Sequence, residues 1–305
     1  MFKSLRFVLA VSLGAIAIPL ISATTATSAT TIPVPACIVS LSPTATETLF
    51  AIGAGHQVQA VDSDSNYPTR GLPTKRINAL NPSVESVISI CKGSSTKPNL
   101  VIISYDANSI KEKLTALGVR VVAQYAPTSL AGALSQIRQL GVLTGHLAAA
   151  NALASSMARN IAVDIKSVPA HPAKKLTVYY ELDEPTYYSL TSSTFVGSLM
   201  KALGVVNIAD AGATTADPGY PQLSAEYIVS ANPKLIFLAD TLCCKITPAK
   251  VAQRPGFARV SAVVNGHVVN LSDDVASRWG PRLSLLMGQI TAAVKSTLAD
   301  PRVWK

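Results

Sequence analysis

The sequence predicts an α/β protein of two open lobes, each built on a parallel sheet, joined by one long α-helix. Three observations carry this. Short β-branched runs alternate with amphipathic segments, the pattern of parallel strands linked by helices. The second half repeats the order: "SAEYIVSANPKLIFLA" answers the earlier "SVESVIS" and "KPNLVIIS", with an extra "CKGSSTK" stretch in the first half. Between the halves, residues 129–168 are rich in Ala and Leu and free of proline. At 305 residues, 49% apolar and 14% charged, the chain is long and apolar enough for two cores.

At the N-terminus, Lys3 and Arg6 precede an uncharged apolar run from Phe7 to Ile21 and then small residues, which reads as a secretion signal over 1–29. The run falls short of the roughly 20 apolar residues that span a bilayer. Residues 30–128 form the N-terminal lobe, with strands at 38–41, 58–61, 100–104 and 119–124 and helices at 44–52, 83–90 and 109–117. The first strand runs into "SPTATETLFAIGAG". Ser42 suits an N-cap with Pro43 at the first helical position, and Thr44-x-x-Glu47 offers an alternative capping box. That turn carries no glycine to let backbone N–H groups approach a phosphate, so a dinucleotide site is not expected; Gly53 and Gly55 follow the helix as its C-terminal cap. Residues 129–168 form the linking helix, with a break allowed near Gly141 or Gly145, and a strut of that kind permits only slight rocking of the lobes. Residues 169–305 form the C-terminal lobe, with strands at 176–180, 207–209, 235–239 and 267–271 and helices at 194–203 and 224–231.

Removal of the signal takes Lys3 and Arg6 and lowers the formal charge from +9 to +7. The cations are scattered and aromatics make up 6%, so a nucleic-acid groove is not expected. The four histidines, His56, His146, His171 and His267, fall after a helix cap, in the strut, in a linker and at a strand start; they are not expected to converge on a metal ion. The sequence has no G-x-S-x-G elbow, H-E-x-x-H motif or phosphate loop, which weighs against the alternative of an exported two-lobe α/β enzyme. A sensor domain is a third reading, disfavoured by the lack of an appended output domain.

"IVSLSPTATETLFAIGAG", "YYELDEPTYYSLTSSTFVGSLMKALG", "YPQLSAEYIVSANPKLIFLAD", "RPGFARVSAVVNGHVV" and "SRWGPRL", in this order, resemble the substrate-binding proteins of ABC importers that carry cobalamin, ferric siderophores and haem. The resemblance spans nearly all of the chain after the signal. It implies the class III periplasmic binding protein fold: two Rossmann-like lobes with parallel sheets joined by one long α-helix, with the ligand in the cleft between them. It implies a monomeric, non-enzymatic solute-binding protein outside the cytoplasmic membrane, periplasmic or at the cell surface. Such a protein has no cofactor of its own, takes a cobalamin or other corrinoid, a ferric siderophore or haem, and delivers it to a permease dimer with its ATPase. In open parallel sheets the ligand lies beyond the carboxyl ends of the strands.

Tyr67, Tyr105 and Tyr220 match aromatic or cleft positions of the cobalamin-binding relatives; each offers a flat face and a hydroxyl, and loop packing competes with that role. Tyr187 and Tyr188 are further candidates. Arg278 matches a cleft arginine and Asp274 an aspartate four residues earlier; a guanidinium suits anionic chelates, and a local Asp274–Arg278 ion pair is the competing reading. Trp279 is expected to pack. Glu85 and Glu226 each follow a helix-starting serine by two residues in equivalent places of the two repeats. The helix dipole favours a carboxylate there without any partner. The family uses one such glutamate per lobe to dock on permease arginines. Four cysteines allow three pairings. Cys37 and Cys91 both belong at the amino edge of the first sheet and are expected to form a disulfide, whereas Cys243 and Cys244 lie at the cleft-side edge as a vicinal disulfide or as thiols. Cys37 stands too far beyond the apolar run for lipid attachment.

Overall fold

The computed structural model describes residues 34–91, 98–170, 175–215 and 217–305. The signal expected over 1–29, most of the "CKGSSTK" stretch and His171 lie outside them. In the first lobe β1 (Ile38–Leu41), β2 (Val58–Asp62), β3 (Arg76–Ile77), β4 (Leu100–Ile103) and β5 (Val121–Ala123) form a parallel sheet in the order β3-β2-β1-β4-β5. In the second, β6 (Thr177–Glu181), β7 (Val206–Asn207), β8 (Leu235–Leu238) and β9 (Val268–Asn270) pair in the order β7-β6-β8-β9, also parallel. The second order repeats β2-β1-β4-β5 of the first, which is the duplication that the sequence announces. β1, β4 and β8 are buried on both faces, as strands of a helix-covered parallel sheet must be.

Helices α1 (Pro43–Ala51), α2 (Val84–Ile88) and α3 (Ile110–Ala116) belong to the first lobe, and α6 (Phe195–Ala202), α7 (Ala225–Ala231), α8 (Pro248–Gln253), α9 (Ser261–Asn265), α10 (Asp273–Ala276) and α11 (Leu283–Ala299) follow β6. Side-chain caps start many of them: Ser42, Ser83, Thr194, Ser224 and Thr247 each accept from the amide three residues on. At α1 the Ser42–Pro43 frame is the one adopted, and Glu47 does not close a capping box. Gly53 caps that helix with φ +89°. Gly55 does not; it is needed because a Cβ there would lie 2.7 Å from the Phe50 ring.

The segment expected as one linking helix is two. α4 (Leu130–Thr144) and α5 (Leu147–Ser167) are separated at Gly145, whose φ of +78° ends α4 in the left-handed conformation. The chain folds back there, and α4 packs on α1 and against α5. Gly141 lets the two helices touch, since a Cβ on it would lie 2.4 Å from that of Ala150. The connecting rod is therefore α5 alone, about 30 Å long at 1.5 Å per residue. Its stripe of Ala150, Ala154, Met157 and Ile161 is buried, and it packs against α4 on one side and α11 on the other.

One hydrophobic core runs without a break from Ile38, Leu49, Leu100 and Ile102 in the first lobe, through Ile137, Met157 and Ile290, to Tyr180 and Phe237 in the second. Separate cores lie on the far face of each sheet. Cys37 and Cys91 form the expected disulfide, with Cα atoms 6.1 Å apart. By loop-closure entropy a bridge of this span stabilises by about 3–4 kcal/mol. Cys243 and Cys244 are free thiols.

Candidate ligand-binding cleft

A cavity of about 530 Å³ opens between the lobes, within the usual range of small-molecule sites. Its walls are loops at the carboxyl ends of strands, the position that sheet topology favours. Pro43 and Thr44 follow β1, Ser63, Asp64 and Asn66 follow β2, and Ser104 follows β4. Facing them from beyond β9 are Asp273, Asp274, Ser277, Arg278 and Trp279.

The loop after β2 is ordered from beneath. Asp62 accepts from the Asp64 amide at 2.9 Å and from the Ser65 hydroxyl, and that hydroxyl meets Thr46 Oγ1, which in turn donates to Ser40 Oγ at 2.9 Å. Burial raises the Asp62 pKa above the ordinary carboxylate value. Across the cleft, Asp273 accepts from the Thr241, Leu242 and Cys243 amides and from the Thr241 hydroxyl. Burial works against its charge, but those bonds, the Cys243 amide foremost, outweigh it and hold the pKa below the usual value.

The two lobes are tied together at the cavity floor. Arg278 is buried, and its guanidinium donates to Glu47 at 2.8 Å, to Asn66 Oδ1 and the Asp64 carbonyl at 2.9 Å, and to Asp274 at 2.7 Å. Arg282 reaches the same Glu47 through two bonds of 2.9 and 2.5 Å, which raise its own pKa further. Asn66 also donates to the second oxygen of Asp274 at 2.7 Å. The local Asp274–Arg278 pair is thus present, but as one arm of a network that spans the lobes. Trp279 both lines the cavity and donates its indole N–H to Gln136 on α4 at 2.7 Å.

Of the residues singled out in the sequence, Asp274 and Arg278 line the cavity. Tyr67 and Tyr105 adjoin lining residues Asn66 and Ser104 and are 41% and 63% exposed, on the rim rather than the wall. The Arg282 guanidinium stands 4.4 Å above the Tyr67 ring. Tyr220 is half-exposed on the second lobe and is not on the cavity wall. Tyr187 stacks on Phe257 inside the second lobe, and Tyr188 bridges Asp183 and Gln222. Glu85 and Glu226 are exposed, each at the second position of a serine-capped helix. The Ser83 hydroxyl, donating at 2.7 Å, lowers the Glu85 pKa. The histidines depart from expectation in one respect: His56 and His146 meet with ring centroids 6.0 Å apart, because the α4–α5 turn folds back onto the first lobe. Among the described residues no three His, Cys, Asp or Glu side chains gather as metal ligands.

Glu47 and Arg282 complete the tie between the lobes, and neither is among the site residues expected from the sequence. Glu47 is the only charge between Cys37 and Gly55, on a helix otherwise of Thr, Ala and apolar residues, and Arg282 lies four residues after Arg278. Those were the available signals.

A family model described as "Periplasmic binding protein" matches residues 38–275. The chain belongs to the periplasmic binding protein family. It is accordingly a substrate-binding protein and not an enzyme. Similar members of the ABC-transport systems include the uncharacterized substrate-binding lipoprotein YvrC of Bacillus subtilis, 28% identical over 82% of this chain and 76% of that protein. The cobalamin-binding protein of Halobacterium salinarum is 29% identical over 86% of this chain and 70% of that protein. Among solved structures, the haem-binding protein RhuT from Roseiflexus superposes with a TM-score of 0.72 at 25% identity, covering 86% of this chain and 98% of that one. The vitamin B12-binding protein BtuF of Vibrio cholerae shares the fold, with a TM-score of 0.70 at 23% identity over 87% and 99% of the two chains.

Proposed function

We propose that this binding protein works outside the cytoplasmic membrane and captures a corrinoid of the cobalamin type in the inter-lobe cleft for delivery to an ABC permease. The observation that carries the choice of ligand is the state of Arg278. Its four hydrogen bonds to Glu47, Asn66, Asp64 and Asp274 commit the one cation on the described cavity wall to internal partners. Asp273 and Asp274 on the same wall are likewise engaged, by the turn amides and by Arg278 and Asn66, and beside them the wall presents the Asp64 carboxylate and the hydroxyls of Thr44, Ser63, Ser104 and Ser277. Acceptors of this kind suit the amide N–H groups on a corrin's edge and repel the carboxylates of haem or of an anionic siderophore. The net charge, +9 for the full sequence and +7 once the expected signal is removed, favours anions only at long range, and salt screens it beyond about 8 Å. The exposed faces of Tyr67 and Tyr105 offer flat contact at the rim. Several relatives of this chain are named for binding cobalamin or vitamin B12.

Spectrophotometric titration of the purified protein with cyanocobalamin, haemin and an anionic ferric tris-catecholate separates the ligands. Cyanocobalamin is expected to bind at least tenfold more tightly than either of the others, a difference of about 1.4 kcal/mol. Preference for haemin would overturn the assignment. Docking on the permease falls to Glu85 and Glu226, which place one exposed carboxylate on each lobe at equivalent helix positions, a spacing that a two-fold symmetric permease can meet with two basic pockets.

A further inference from the structure

Cys243 and Cys244 sit in the turn between β8 and α8, and both are free thiols, the first exposed and the second half-buried. The same turn holds the cleft wall: the Thr241, Leu242 and Cys243 amides bond the Asp273 carboxylate at 2.8, 2.9 and 2.8 Å, and Asp273 lines the cavity. Cys244 anchors the other end of the turn, its amide bonded to the Asp240 carbonyl at 3.2 Å and its sulfur 3.9 Å from Asp183 Oδ1. Adjacent residues have Cα atoms about 3.8 Å apart across a trans peptide. Disulfides close without backbone movement only over about 4.4–6.8 Å. A bond between these neighbours is therefore taken up by their own backbone, and the Cys243 N–H on Asp273 is part of it.

We propose that Cys243 and Cys244 form a redox-modifiable dithiol, and that closing it to a vicinal disulfide withdraws the turn's amides from Asp273 and alters the cleft wall. This rests on the extracytoplasmic reading above, which exposes the pair to oxidising disulfides as Cys37 and Cys91 have been. The step balances by thiol–disulfide exchange with a small disulfide such as oxidised glutathione. One S–S bond forms between the protein sulfurs, which give up two electrons and two protons. The glutathione S–S bond breaks, and its sulfurs take up both as two thiols.

The test treats the purified full-length protein with oxidised glutathione, blocks remaining thiols and reads intact mass alongside amide hydrogen exchange over residues 240–245. The expected product is lighter by two hydrogens, carries no glutathione, and exchanges the Leu242 and Cys243 amides about tenfold faster. Cys243→Ser and Cys244→Ser proteins should give no ring and no such change. A glutathione adduct that persists without ring closure, or a closed ring with unchanged exchange, overturns the proposal. Cyanocobalamin affinity is measured in parallel on both forms; binding to neither sinks the corrinoid assignment, while mass and exchange still decide the redox pair.

Discussion

Glu47 shows how much one side chain can carry. It is the shared partner of Arg278 and Arg282, buried together with Arg278 while Arg282 is partly buried. Glu47→Gln keeps the shape but leaves guanidinium charge uncompensated in a desolvated site, which costs about 3–5 kcal/mol. At about 2–4 °C per kcal/mol for a chain of this size, the melting temperature should fall by roughly 10 °C in scanning calorimetry. Asp240 presents the opposite situation. Both of its carboxyl oxygens are buried, and burial, followed by the neighbouring Glu181 charge, raises its pKa to about 7. The folded protein keeps a proton that the unfolded chain releases near 3.8, so the stability this gives is complete below that value and is lost as pH rises through about 7. Asp240→Asn should remove that decline: urea unfolding should find the variant more stable than the parent at pH 8 and the gap closing by pH 4. At this scale the sequence revealed residue types but not partners. Arg278 and Asp274 stood out through the family resemblance, and their mutual pairing was readable because they lie four residues apart, whereas Glu47 is 231 residues from Arg278, and nothing local announces such a pairing.

Elements were more legible, because their causes are local. β1 and α7 fall within a residue of where apolar runs and a serine cap place them. Short pieces escaped: β3 has two residues, and α8, α9 and α10 have six, five and four, too few for a period to show. Thr247 followed by Pro248 was nevertheless a readable helix start. The fold-back of α4 on α5 was not readable from a proline-free stretch, since Gly145 is compatible with either a kink or a turn until Gly141 is seen against Ala150. That contact gives a test. Gly141→Ala inserts a methyl group 2.4 Å from the Ala150 Cβ, and overpacking of this kind costs about 1–3 kcal/mol, readable as a lower denaturation midpoint in urea.

For the whole molecule, the duplicated layout has two consequences. Reversing charge at both Glu85 and Glu226 should abolish transport into cells while cyanocobalamin affinity stays within about twofold, because the two side chains lie on exposed helix starts and not on the cavity wall. Uptake at the parental rate would remove these residues from the docking surface. The other consequence comes from the interior that passes unbroken from the first sheet through α5 and α11 to the second. Neither half owns a complete inside of its own. Heating should therefore give a single endotherm with matching calorimetric and van't Hoff enthalpies, instead of two steps. A chain severed in the α4–α5 turn should yield fragments that precipitate when parted and recover a folded signal only on being mixed.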